Sequence, residues 1–452
     1  MTSEHAYAPP ANGWRTFVII WITQALSVFG SAITGFALTI WLTVTAYPAP
    51  EQRQELAFAL AAMGISFFLA GLIAAPIGGA WADRHDRKTT MIVADVASGL
   101  VSILLVALLL TNTLNLWLLL GLNVIAGIAN TFHDSAFDAS YAMLVPREKL
   151  PRANGMMQTI WALSGVFSPA LAASLIALPA LLRQSGVTHW LSSLSDGTVL
   201  AIGLDIITFL VAVAALSVLH VPSPKRTDVG TDQRPQASIW ADVREGARYI
   251  WQRRAMLWLL GTFTVVNFTA APLYTLLPLV TRYNLGLDAA AIGMSYEASL
   301  ALINSVMGIG GVLGGLAMST WGGLKRRRIF GVLIPMIISA IAEVAFGLSS
   351  LVYLTAAMGF VTAAMIPILN AHSQAIWQSI TPNELQGRVF SVRRVIAQFT
   401  LPIGTIIAGV TGGIFDPGMV IAVMAMIAVV FCTLQLFNPT LRRIEDHTRL
   451  SQ

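Results

Sequence analysis

Residues 79–88 read Gly79-Ala80-Trp81-Ala82-Asp83-Arg84-His85-Asp86-Arg87-Lys88. This knot of charge separates two apolar runs, Leu56–Ala82 and Thr89–Leu110. Each run is long enough to cross a bilayer, because about 20 apolar residues span the hydrocarbon as a helix. A connection this short makes the two helices antiparallel neighbours. Arg84, Arg87 and Lys88 then place the loop on the cytoplasmic side, where short loops gather basic residues.

Composition leads to the same class. Hydrophobic residues are 56% of the chain and charged residues 11%, against about 25% charged in a soluble protein. So little charge cannot solvate the surface of a 452-residue soluble chain. A net charge of +5 would suit nucleic acid, but the basic residues sit in short loops between apolar runs rather than on one face. Nucleic acid is therefore excluded as a partner, and the lipid bilayer is expected. Cys432 is the single cysteine, which rules out a disulfide framework and a cysteine metal site. No signal-peptide pattern is apparent, since the first apolar run far exceeds a signal core.

Outward from the opening stretch, the sequence predicts an all-α, polytopic membrane protein of twelve spans. Residues 1–13 form a polar cytoplasmic tail, 14–220 a six-helix bundle, 221–254 a cytoplasmic linker, 255–438 a second six-helix bundle, and 439–452 a cytoplasmic tail. The linker begins Pro222-Ser223-Pro224-Lys225-Arg226 and turns amphipathic from Ser238, with Ile239, Trp240, Val243, Ala247, Ile250 and Trp251 at helical spacing. This pattern predicts a helix lying on the inner membrane face. The basic loop Lys325–Arg328 lies between the eighth and ninth spans, as 83–88 lies between the second and third. That echo is a weak internal repeat of two halves.

Charge placement tests the topology. Of 27 Lys and Arg, the twelve-span arrangement leaves only Arg53, Arg183 and Arg282 outside, so 24 fall inside. Both termini are accordingly expected in the cytoplasm, with the protein in the inner or plasma membrane.

The pattern Gly-x-x-x-Asp-Arg-x-Gly-Arg-Lys marks the loop between the second and third helices of the major facilitator superfamily. Gly79, Asp83, Arg84, Arg87 and Lys88 match it, and Asp86 stands where Gly is usual. The chain resembles the drug:proton antiporter branch that includes macrolide efflux proteins and the enterobactin exporter. Leu144-Val145-Pro146, Arg152-Ala153-Asn154-Gly155-Met156 and Gln386-Gly387-Arg388-Val389-Phe390-Ser391 carry that closer likeness. The resemblance implies two pseudo-symmetric six-helix halves, alternating access, a monomer, and export of amphipathic or hydrophobic small molecules in exchange for protons. Siderophore export and lysophospholipid flipping are the alternatives within similar folds, followed by uptake symport. The sequence departs from the branch at Asn123, where many antiporters carry Arg. It departs again in the fifth span, where Gly165, Ser168-Pro169 and Ala172-Ala173 replace a glycine-rich motif.

The chemistry-bearing residues follow from these readings. Phosphate-loop, serine-elbow and His-Glu-x-x-His patterns are absent, so no catalytic residue, cofactor or metal ligand is expected, and the protein is not expected to be an enzyme. His133, Asp134 and Asp138 are the only cluster an intramembrane enzyme could use. Buried membrane acids are costly, about 2.5–3.5 kcal/mol on lenient scales, and mark pathways or pairs. By the resemblance, Asp95, Asp205 and Glu343 fall on support helices and are structural. Glu297 is the leading proton-coupling residue, placed about two turns inside the eighth span, with Asp134 and Asp138 next. The resemblance implies that Gly79, Asp83, Arg84, Arg87 and Lys88 form an inner latch in which Asp83 caps the helix start near Gln386, and Arg87 is expected to pair with Asp134 or Asp138. Gln24, Ser27, Asn123, Asn130, Trp161, Asn267, Tyr274 and Asn370 are expected to line the substrate cavity.

Overall fold

The computed structural model describes residues 12–146, 149–186, 190–221, 239–382 and 385–445. Most of the expected tail 1–13, the polar part of the 221–254 linker and the end of the tail 439–452 lie outside the described residues. Among the described residues every regular element is helical, and twelve helices are long and apolar enough to cross a membrane. The protein is a multi-pass membrane protein.

Six spanning helices come from the first half: α1 (Gly13–Ile40), α2 (Arg53–Arg84), α3 (Arg87–Leu110), α4 (Leu116–Leu144), α5 (Leu150–Gln184) and α6 (Thr198–Val218). The amphipathic pattern after Ser238 becomes α7 (Ile239–Trp251). The second half contributes α8 (Arg254–Leu279), the short α9 (Gly286–Ala291), α10 (Tyr296–Trp321), α11 (Arg328–Leu348), α12 (Val352–Ile380), α13 (Gln386–Ile414) and α14 (Pro417–Leu436). A final turn, α15, spans Pro439–Arg442. In hydrocarbon every backbone polar group must be satisfied internally, which is why the spans are helices throughout.

Local chemistry sets the helix ends. The Asp86 carboxylate accepts from the Thr89 N–H at 2.6 Å and so caps α3. Asp416 caps α14 through the Met419 N–H at 2.8 Å, with Pro417 at the first helical position, where its missing N–H costs nothing. Gly322 closes α10 in the left-handed region at φ 74, a conformation that disfavours a Cβ.

The chain divides into two compact units, residues 1–48 with 62–228 and residues 49–61 with 229–452. Thus α2 begins in the second unit, where the Arg53 guanidinium donates to the Gly413 and Ile414 carbonyls at the end of α13, each at 3.2 Å. In the first unit α1 packs on α5 and α6, and α3 packs on α4 and α6. A buried apolar cluster there joins Ala82 of the hairpin to Phe17, Met91, Phe137, Leu144 and Leu216. In the second unit α12 packs on α10 and α11, and α8 on α13 and α14. Gly314 of α10 lies against the Ala364 backbone of α12, where a side chain would collide. Small residues at such contacts let membrane helices approach closely. The outward surfaces are apolar, as at Val93, Leu100 and Leu210, which suits lipid as solvent.

Candidate functional site

The 79–88 hairpin is built from charges that serve backbone ends. Lys88 Nζ donates to the Ser217 and Leu219 carbonyls at 2.8 and 2.9 Å. A cation there satisfies the free C=O groups and the negative end of α6. Arg87 is buried, and its guanidinium donates to the Ala82 carbonyl at 3.3 Å and the Ala139 carbonyl at 2.8 Å. The sequence had suggested Asp134 or Asp138 for Arg87. The guanidinium bonds above go to carbonyls, while Asp134 engages Asn130 and His133. Asp138 and Arg84 lie exposed at their helix surfaces. Asp83 stands in the last turn of α2, and its side chain lies outside the described residues. Of the two adjacent glycines, Gly78 makes the close approach. A Cβ there would meet Ser135 Oγ of α4 at 3.1 Å, whereas one at Gly79 would meet nothing within 4 Å among the described residues.

Two turns along α3 from this hairpin, Asp95 meets the His133–Asp134 pair, a contact between helices that sequence reasoning missed. Asp95 and His133 are both buried, at 3% and 7% exposure, on the packed faces of α3 and α4. His133 Nε2 is 3.5 Å from Asp95 Oδ1, and Nδ1 is 3.7 Å from Asp134 Oδ1. The Asp134 side chain is half exposed and accepts from Asn130 Nδ2 at 2.9 Å. Asp95 Oδ2 and His133 Nε2 make no hydrogen bond. A buried imidazole therefore sits between an inner and an outer carboxylate, slightly beyond hydrogen-bond length from each. Sequence spacing had set His133 and Asp134 side by side and left Asp95 on a separate helix. The usable signal was depth: Asp95 lies 15 residues before the end of α3 and His133 17 residues after the start of α4. A short antiparallel connection brings such positions to one level.

The other support-helix acids differ. Asp205 of α6 is buried and accepts from Thr34 at 2.9 Å, Ser102 at 3.1 Å, and Ser31 and Thr208 at 3.4 Å each. These hydroxyls come from α1, α3 and α6 itself, so one carboxyl ties three helices together. Glu343 of α11 accepts from Ser339 one turn earlier at 3.2 Å.

Glu297 is not two turns inside its span. The apolar residues before it form the separate α9, closed by Gly293 at φ 68, and Glu297 falls in the first turn of α10 beside the Ser295 cap. An acid in a first helical turn is favoured by the helix dipole and needs no transport role to explain it.

The eight cavity candidates fall into three kinds of environment. Gln24 and Ser27 are buried on α1. Asn123 and Asn267 cross-link helices, through the Met63 carbonyl at 2.9 Å and the Ala397 carbonyl at 2.8 Å. Trp161 and Tyr274 are exposed, as are Asn130 and Asn370. Asn123, which stands where Arg was expected, thus joins α4 to α2.

Among the described residues, twelve helices long and apolar enough to cross a membrane, divided between two units, define a multi-pass membrane protein. The family model described as Major Facilitator Superfamily matches residues 20–334, and the chain belongs to that family. It is 26% identical over 405 residues to macrolide efflux protein A of Streptococcus pyogenes, covering 88% of this chain and 89% of that one. It is 23% identical over 416 residues to the multidrug efflux pump Tap of Mycolicibacterium fortuitum, covering 89% and 93%. Among solved structures, a bacterial homolog of the human lysosomal transporter Spinster, inward-facing and unoccupied, aligns with a TM-score of 0.63 at 15% identity. That alignment covers 98% of this chain and 95% of the other. The nucleoside transporter NupG aligns with a TM-score of 0.65 at 13% identity, covering 93% and 98%. These structures share the fold.

Proposed function

We propose that this chain is a secondary efflux transporter that exports amphipathic small molecules, macrolides among them, in exchange for protons carried by Asp134, His133 and Asp95. The similarity to macrolide and multidrug efflux proteins supports the direction and the substrate class. The observation that carries the coupling is buried His133, flanked by Asp95 at 3.5 Å and Asp134 at 3.7 Å. Asp134 takes a proton at the exposed end, His133 passes it from Nδ1 to Nε2, and Asp95 holds it at the α3–α4 contact. Loss of that proton leaves Asp95 charged against the bundle interior, and a shift of α3 along α4 relieves it. Both termini and the linker lie in the cytoplasm on this reading, which the 24-to-3 distribution of basic residues supports. The protein works as a monomer in the inner or plasma membrane.

One proton moving down a 100 mV potential supplies about 2.3 kcal/mol, enough for a roughly fiftyfold gradient of a neutral substrate. The test uses inverted vesicles and a radiolabelled macrolide. Uptake should follow an imposed inward-acid pH gradient and collapse when a proton–potassium exchanger dissipates it. Uptake indifferent to the gradient would end the proton-coupled reading.

A further inference from the structure

The second unit contains a cavity of about 810 Å³ that has no part in the acid–imidazole set. It lies where α7 ends and α8 begins, closed by the end of α12 and by α15. Arg253, Arg254, Met256, Thr381, Thr440 and Ile444 are among its walls. The size is within the usual range for a bound small molecule, about 300–1,000 Å³.

Its charged groups are both cationic, Arg253 and Arg254. Arg253 precedes α8 and provides no side-chain cap, so the start of a 26-residue helix, with the positive pole of its dipole, lies at this end. The Arg253 guanidinium is held 3.5 Å above the Tyr249 ring and donates to the Tyr249 carbonyl at 3.1 Å. Tyr249 is itself fixed by donating to the Ile380 carbonyl at 2.7 Å. Arg254 is exposed at the mouth. No carboxylate is among the described lining residues. Among the described acids, Glu245 pairs with Arg388 and Glu445 with Arg328. An independent observation points to a ligand. Thr381 is 4% exposed, and its Oγ1 is buried without a hydrogen-bond partner although the residue lines the cavity. A buried hydroxyl is normally paired, so an unpaired one asks for an acceptor.

Two arginines, a helix start and an unpaired hydroxyl fit a phosphate group. Met256, Ile380 and Ile444 add apolar wall, and exposed Trp251 and Trp258 flank the site. Exposed tryptophans of this kind mark the headgroup level of a bilayer. We propose that this cavity binds the phosphate headgroup of an anionic membrane lipid, with Arg253, Arg254 and the Thr381 hydroxyl as donors and the apolar wall against its glycerol end. Holding the headgroup there ties α7 to α8 and α12.

The test uses the full-length protein in nanodiscs of phosphatidylcholine, titrated with short-chain phosphatidylglycerol and, separately, with inorganic phosphate. Binding is followed by native mass spectrometry and by thermal unfolding. Wild type should prefer phosphatidylglycerol over phosphatidylcholine of equal chain length by roughly tenfold or more, and Arg254→Gln should remove most of that preference. Because Arg254 is exposed, this variant should unfold at the wild-type temperature when no anionic lipid is present. Thr381→Val should weaken phosphatidylglycerol binding in the same direction. Inorganic phosphate binding as tightly as the lipid would overturn the lipid assignment in favour of a soluble phosphate. Equal binding of both lipids, or unchanged preference in Arg254→Gln, would overturn the site.

Discussion

Asp95 and Asp205 are both buried aspartates on helices of the first unit, at 3% and 2% exposure, and burial alone does not tell them apart. Their partners do. Asp205 collects four hydroxyls from α1, α3 and α6. Asp95 faces one imidazole at 3.5 Å and leaves its second oxygen without a hydrogen bond. Hydroxyls hold a carboxylate in place and have no charge of their own to exchange. An imidazole can take the proton that the carboxylate gives up, and it links Asp95 to an exposed acid. A satisfied buried acid is a tie, and on the proposed coupling an unsatisfied one beside an imidazole is where a proton moves. The second unit repeats the lesson with histidine. His372 accepts from the Leu324 N–H at 2.8 Å and lies 2.7 Å from the Ile368 carbonyl, so both ring nitrogens are engaged. Among the described residues His133 has no such pair of backbone partners.

The largest expected effect is at Asp95. Asp95→Asn should remove the proton position while keeping size and polarity, so the protein should insert and fold. In pH-gradient vesicles it should lose the roughly fiftyfold accumulation that one proton supports. Substrate exchange without a gradient should continue. A variant that still concentrates substrate with the gradient would place the proton elsewhere and break the comparison.

A smaller effect of another kind is expected at Asp205. Asp205→Ala leaves several buried hydroxyls to find other acceptors and should destabilise the first unit by about 1–3 kcal/mol. Thr34→Val removes only the 2.9 Å bond and should cost about 1 kcal/mol. Both are read as lowered thermal unfolding temperatures in detergent, with pH-driven transport per folded molecule unchanged. Uncoupled transport in either variant would erase the distinction between tie and proton site.

The spans were legible because bilayer thickness sets a length that hydropathy can count, and the charged hairpins fix their order. The α9–α10 break was not legible. The alanines at 289–291 read as the start of a span, while Gly293 at φ 68 turns the chain before Tyr296. That misplacement put Glu297 too deep. The hairpin charges were recognised, but Lys88 and Arg87 serve carbonyls at the α6 end and on α4, choices that require the packed helices. Asp95 and His133 are separated by 38 positions, and only the α3–α4 hairpin brings them together.

The central claim is that binding and proton movement meet at Asp95. It is tested most directly by adding a macrolide to the detergent-solubilised protein in weakly buffered solution and following proton release with a pH indicator. Wild type and Asp205→Asn should release protons in proportion to substrate bound, and Asp95→Asn should release none. Release by Asp95→Asn at the wild-type level, or silence in Asp205→Asn alone, would contradict the account.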